Sequence, residues 1–166
     1  LLFDPVERFV AGTVGQPGER TFFIQARTGS RLISVSLEKT QVQALSERLT
    51  YMIREIKQSD PTIVIQRLTR DDAPLETPIE EEFRIGVIGI AFDASRELIQ
   101  IDLQAVSEGD EEEPEFIDVD DLTGDQDIMR VLISPSMADQ FAKRAMSVVS
   151  AGRLPCPFCG GPIDMR

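Results

Sequence analysis

Phe9-Val10-Ala11-Gly12-Thr13-Val14-Gly15 is echoed by Phe83-Arg84-Ile85-Gly86-Val87-Ile88-Gly89, with one Phe and both glycines in step. Working outward from the first copy, residues 8–14 form a β-rich run, Gly15-Gln16-Pro17-Gly18-Glu19 a hairpin connection, and residues 21–27 a second run. Phe22, Ile24 and Ala26 share one face of that second run. A third run follows Gly29-Ser30, with Ile33, Val35 and Leu37 inward and Ser34 and Ser36 outward. The period then changes. Val42, Leu45, Leu49, Met52, Ile53 and Ile56 recur at helical spacing across residues 40–57, and Gln58-Ser59-Asp60-Pro61 ends the helix. Residues 62–68 read as a further strand.

Residues 70–82 carry two prolines, six acids and few core candidates, and read as a linker. Beyond it the order repeats. Residues 83–92 and 97–106 make a second hairpin around Asp93-Ala94-Ser95. A short strand is expected at 116–119 and a longer one at 128–133. Ser134-Pro135 is a cap residue followed by Pro in the first turn of a helix. Its stripe is Met137, Ala138, Phe141, Ala145, Val148 and Val149, and Gly152 is its stop. Ile24-Gln25-Ala26 matches Leu103-Gln104-Ala105, and Val35-Ser36-Leu37 matches Val131-Leu132-Ile133. The expected fold is therefore α+β: two tandem strand-hairpin–strand–helix (βββα) units with antiparallel sheets, duplicated about a pseudo-two-fold. The paired glycines would permit close backbone approach at equivalent strand positions. The expected division is 1–69, linker 70–82, second unit 83–152 with an insertion at 107–127, and a tail at 153–166.

The insertion holds the charge. Of 29 acids, eleven lie between Glu108 and Asp127, where no Lys or Arg occurs, and the remaining acids nearly balance the 17 bases. The net charge of −12 is thus a local feature. Nucleic-acid binding normally needs a basic face, so that class is disfavoured. Asp118, Asp120 and Asp125 suggest calcium, but the Gly needed at loop position six is Thr123 and the acid at position twelve is Met129. The segment reads as a solvated loop, or as a docking element for a basic partner surface.

No apolar run approaches the ~18 residues of a membrane span, and the first residues already contain Asp4, Pro5 and Glu7. This predicts a cytoplasmic protein without a membrane anchor. There is no His in the chain, hence no His base and no Ser–His pair, and no phosphate-binding glycine motif opens a helix. The strongest local signal is Pro155-Cys156-Pro157-Phe158-Cys159-Gly160-Gly161-Pro162. Two thiolates across a tight turn, with Gly after the second, suit a zinc knuckle. Cys156 and Cys159 fill two of four tetrahedral positions. The others would come from a C-terminal continuation, a second subunit, or a carboxylate such as Asp164. The chain begins without Met and ends six residues past Gly160, which reads as trimmed at both ends. A redox pair or two idle thiols are the alternatives. Arg8, Arg20, Arg27 and Arg31 fall on the first sheet as candidate anion-binding residues, although such arginines more often pair with surface acids.

The opening Phe3-Asp4-Pro5, the run from Arg8 through Ala26, Ser36-Leu37-Glu38-Lys39, the central Phe83-Arg84-Ile85-Gly86, Gly152-Arg153 and the Cys-Pro-x-Cys-Gly knuckle together resemble an uncharacterised conserved actinobacterial family, a domain of unknown function. The resemblance runs the whole length and carries no activity. It implies a native tail continuing into a short segment with another His and Cys, which would complete a zinc site. It also implies neighbouring genes for a phosphatase-like and a kinase-like protein.

These readings lead to a non-enzymatic adaptor that meets a protein partner through the acidic loop and the zinc-knuckle tail. The alternatives are a small-anion binder or unfamiliar enzyme using the arginine-bearing sheet, and nucleic-acid binding through the knuckle. The last predicts binding that falls steeply with salt.

Overall fold

The computed structural model describes residues 1–4, 6–16, 18–106, 115–117, 127–151, 154–155 and 162–163. Their order is β1 (Leu2–Phe3), β2 (Arg8–Val14), β3 (Thr21–Thr28), β4 (Arg31–Leu37), α1 (Lys39–Ser59), β5 (Glu81–Asp93), β6 (Leu98–Ala105), β7 (Glu115–Ile117), β8 (Ile128–Ile133), α2 (Pro135–Ser150), β9 (Leu154–Pro155) and β10 (Pro162–Ile163). The fold is mixed α+β: seven strands run β1-β8-β6-β5-β4-β3-β2, and β7 pairs with β5 alongside that path. No described helix is long and apolar enough to cross a membrane.

One mixed sheet replaces the expected antiparallel ones. β4 and β5 pair in parallel at Ser34↔Glu81 and Ser36↔Arg84, and β1 and β8 pair in parallel at Leu2↔Arg130 and Phe3↔Val131. The sheet must curl. Phe3 to Arg8 can span at most about 17 Å, whereas the edges of a flat seven-stranded sheet would stand about 29 Å apart. Arg31 closes the curl, donating to the Leu2 carbonyl at 2.8 Å with its guanidinium 4.2 Å from the Phe3 ring centre. Asp4 accepts both Arg96 Nη groups at 2.8 and 3.0 Å, and that hydrogen bond holds its carboxyl below the usual value.

Both helices form where the periodicity expects them. Val42, Leu45, Leu49, Ile53 and Ile56 of α1 are buried, as are Ala138, Phe141, Ala145 and Val149 of α2. They join one core with Ile24 and Val35 from the first half and Ile88, Ile101 and Val131 from the second. Phe9 and Phe141 stack at 4.5 Å across the halves. Ser134 caps α2 by accepting from the Met137 N–H at 3.1 Å. Ser134→Ala is expected to cost about 1 kcal/mol and lower Tm by about 2–4 °C, read by thermal unfolding.

Two expectations need correction. Residues 62–68 make no strand; they begin an extended connection through residues 61–80. Ser34 and Ser36 point away from the core as expected, and they are buried there: Ser34 accepts from Gln25, whose amide also binds Glu76 of that connection, and Ser36 donates to Glu81. The register also shifts the alignment. Leu37 and Ile133 both end their strands just before a helix, and they face Phe22 and Ile99. In that frame Ile24-Gln25-Ala26 corresponds to Ile101-Asp102-Leu103, two residues from the match with Leu103-Gln104-Ala105. Side chains keep their faces under a slip of two, so hydrophobic pattern alone does not detect it.

The glycines are likewise not equivalent. A side chain on Gly12 would come within 2.6 Å of Leu75, whereas one on Gly86 would come within 2.7 Å of the Val106 backbone. What the frame does superpose is a buried polar residue in each middle strand. Gln25 donates to Ser34 at 3.0 Å, and Asp102 accepts Arg130 at 2.9 and 3.0 Å, each across to the third strand.

Candidate functional site

The chemistry-bearing side chains collect where the connection from α1 to β5 crosses β2, β3 and α2. α2 contributes a ladder of Ser136, Gln140 and Arg144, spaced four apart and so on one helix face. Ser136 accepts from the Gln66 N–H at 2.9 Å, and Gln140 donates to the Thr69 carbonyl at 2.6 Å. Arg144, 6% exposed, donates to the carbonyls of Ala11 (2.7 Å), Asp71 (2.5 Å) and Ala73 (2.6 Å). Ala11 lies on the strand at the end of the sheet path, so Arg144 covers an edge carbonyl there. Burial pulls the Arg144 guanidinium below its ordinary value.

The sheet holds the other side of the same connection. Arg8 binds the Asp71 carboxylate at 2.7 and 3.2 Å and donates to the carbonyls of Ala73 and Pro74 at 3.0 and 3.2 Å. Glu76 accepts Arg27 at 3.0 Å and Arg8 at 3.3 Å. The Gln25 amide donates to the Glu76 carbonyl and accepts from its N–H, both at 2.9 Å, reproducing the two bonds a strand neighbour would make. Leu75 sits over Gly12, where any larger residue would collide with it.

Of the four arginines singled out by sequence, the structure brings two together. Arg8 and Arg27 meet at Glu76, and Arg27 also binds Glu7 at 2.8 Å. Arg20 lies at the other end of β3, donating to the Val148 carbonyl in the last turn of α2 at 3.3 Å, with its guanidinium 5.2 Å from the Phe22 ring centre. Arg31 is the Leu2 contact described above. Sequence reasoning missed Gln25, Arg144 and the polar ladder of α2. For the α2 residues the signal is the i, i+4 spacing on that helix; Gln25 on β3 has none.

Asp71 is held below the ordinary carboxylate range chiefly by its hydrogen bonds from Arg8. A depressed folded pKa stabilises the fold above the unfolded value of about 3.9, and that stability is lost as pH falls through the folded pKa. The urea midpoint is therefore expected to drop below about pH 4, and Asp71→Asn to flatten that acid slope.

Cys156 and Cys159 lie outside the described residues. Their flanks do not: β9 and β10 pair antiparallel at Pro162↔Pro155 and Ile163↔Leu154. The acidic insertion also lies outside, apart from β7 and Asp127; β7 pairs in parallel with β5 at Val87–Gly89, and the Asp127 carbonyl accepts from Ala105 N at 2.8 Å. Among the described residues no group of three or more His, Cys, Asp or Glu could hold a metal ion. Cys156 and Cys159, two residues apart in sequence, would supply two of the four ligands of a tetrahedral zinc site.

No curated protein and no solved structure matches this chain. A family model, described as a protein of unknown function, matches residues 1–166, and the chain belongs to that family, DUF3090.

Proposed function

We propose that the protein is a non-enzymatic adaptor. It engages a protein partner through the acidic segment 107–127 and a tail whose Cys156 and Cys159 bind zinc. The observation that carries this reading is the β9–β10 pairing, which brings together the two sequence flanks of the Cys156–Cys159 motif. Two thiolates at this spacing can reach one ion, and the ion would then fix the tail. The remaining ligands come from further chain, from a second subunit, or from a carboxylate such as Asp164. A cytoplasmic setting, where thiols stay reduced, goes with this reading. So does an origin of the two βββα halves by duplication, supported by the shared positions of Gln25 and Asp102 and by the two parallel pairings, β4 with β5 and β1 with β8.

Metal analysis of the purified protein, with cobalt substitution, tests the tail. One zinc per chain is expected if the ligand set closes within the chain, and one per two chains if it closes across a dimer. Thiolate-to-cobalt charge-transfer bands should vanish in Cys156→Ser. Protein that retains no zinc after purification in zinc-containing buffer, and develops no such bands, would remove zinc from the proposal.

A further inference from the structure

Residues 61–80, hereafter the strap, form no helix or strand, yet the middle of this connection is held as a peptide ligand is held. Its backbone is read by Gln25 through a two-bond amide contact, and by Arg8 and Arg144 through carbonyls. One apolar side chain, Leu75, fills the space left open at Gly12. The next side chain, Glu76, lies between two guanidinium groups. Three arginines face a stretch that carries Asp71, Asp72 and Glu76. The occupant itself is shallow: Leu75 and Glu76 are only half-buried, and Ala73, Pro74, Thr77 and Pro78 are exposed. Segments with few buried contacts and no strand ladder open locally, at far lower free energy than the sheet beneath them.

We propose that the outer face of β2–β3, bounded by α2, is a recognition site for an extended acidic segment of a partner protein bearing an apolar residue followed by glutamate, and that Leu75-Glu76 occupies it in cis. Gln25 pairs with the backbone of any extended segment, as an added strand would. The notch at Gly12 selects the apolar residue, and Arg8 with Arg27 selects the acid after it. The tethered segment competes at an effective concentration in the millimolar range, so a partner binds when its own segment is tethered nearby or when the strap is weakened. The proposal is independent of the zinc tail and of the segment 107–127.

The test uses the full chain and a fluorescent peptide copying residues 70–80. The variant Leu75→Ser/Glu76→Ser alters the occupant and leaves the site intact. It is expected to bind the peptide at least about tenfold more tightly than wild type, by fluorescence anisotropy. Adding Arg27→Ala, or changing the peptide's Leu-Glu to Leu-Lys, should abolish that gain. Equal affinity for wild type and variant would overturn the proposal. So would a gain that survives Arg27→Ala. Hydrogen exchange on the wild type covers the case in which the variant does not fold. The Glu76 amide is expected to exchange at least about 100-fold faster than the Ile24 amide of β3, whereas equal protection would mean the strap opens only on global unfolding, against the proposal. A wild-type dimer that forms with concentration and is lost in the double variant would assign the site to a second copy of this chain instead.

Discussion

Arg144→Ala is expected to destabilise the protein by about 3–5 kcal/mol and to lower Tm by about 6–20 °C. The guanidinium is buried and donates to three carbonyls from two distant parts of the chain: Ala11 on the end strand, and Asp71 and Ala73 on the strap. Truncation removes all three bonds and leaves the Ala11 and Asp71 carbonyls facing a cavity that alanine cannot fill, while the Ala73 carbonyl keeps Arg8. Among the described residues Asp71 then keeps only Arg8 as its charged partner. Arg144→Lys should recover a minor part of the loss, because one ammonium cannot span acceptors matched to a planar fork. Urea unfolding of the two variants beside wild type measures both values. A loss below about 1 kcal/mol for the alanine variant would mean that the strap and the β2 edge do not depend on this residue.

Phe141→Ala is expected to cost a comparable 3–5 kcal/mol or so, by lost apolar burial and by the cavity left against Phe9. The stack at 4.5 Å joins a strand of the first half to the helix of the second, so both halves should lose stability together. Unfolding followed by two probes, a tyrosine signal from Tyr51 on α1 and far-ultraviolet dichroism, should therefore remain one coincident transition at a lower midpoint. Two separated transitions would show that the halves hold independent cores. The sheet argues against that outcome, because β4 and β5 belong to different halves and pair directly.

What the sequence discloses follows from which interactions are local. α1 and α2 were legible because the stripes from Val42 to Ile56 and from Ala138 to Val149 repeat at the helical period, and because Ser134-Pro135 is a helix-start signal. β2, β3, β4, β5, β6 and β8 are legible from alternation and from turn residues. Their neighbours in the sheet were not, since nothing local to Ser34 or Glu81 announces a parallel partner across an intervening helix. β1 has two residues and no pattern to read.

Alternation places Ser34 and Ser36 on the outward face, but it cannot report that a later segment covers that face. The strap itself reads as a linker, since its hold on the fold lies in backbone carbonyls and in single side chains such as Leu75 and Glu76. Arg8 and Arg27 were picked out as arginines on a sheet, but the acids that meet them lie far along the chain. Only the spacing of Ser136, Gln140 and Arg144 hinted at a second user of α2, and that spacing looks like any exposed helix flank.

The adaptor reading is tested most directly by co-purification of the native-length protein from its own host, with identification and stoichiometry by mass spectrometry. The account predicts a reproducible partner at fixed stoichiometry that is lost on Cys156→Ser or on deletion of residues 108–115, while Tm is unchanged. Protein that purifies alone, or a partner retained by both variants, would contradict it.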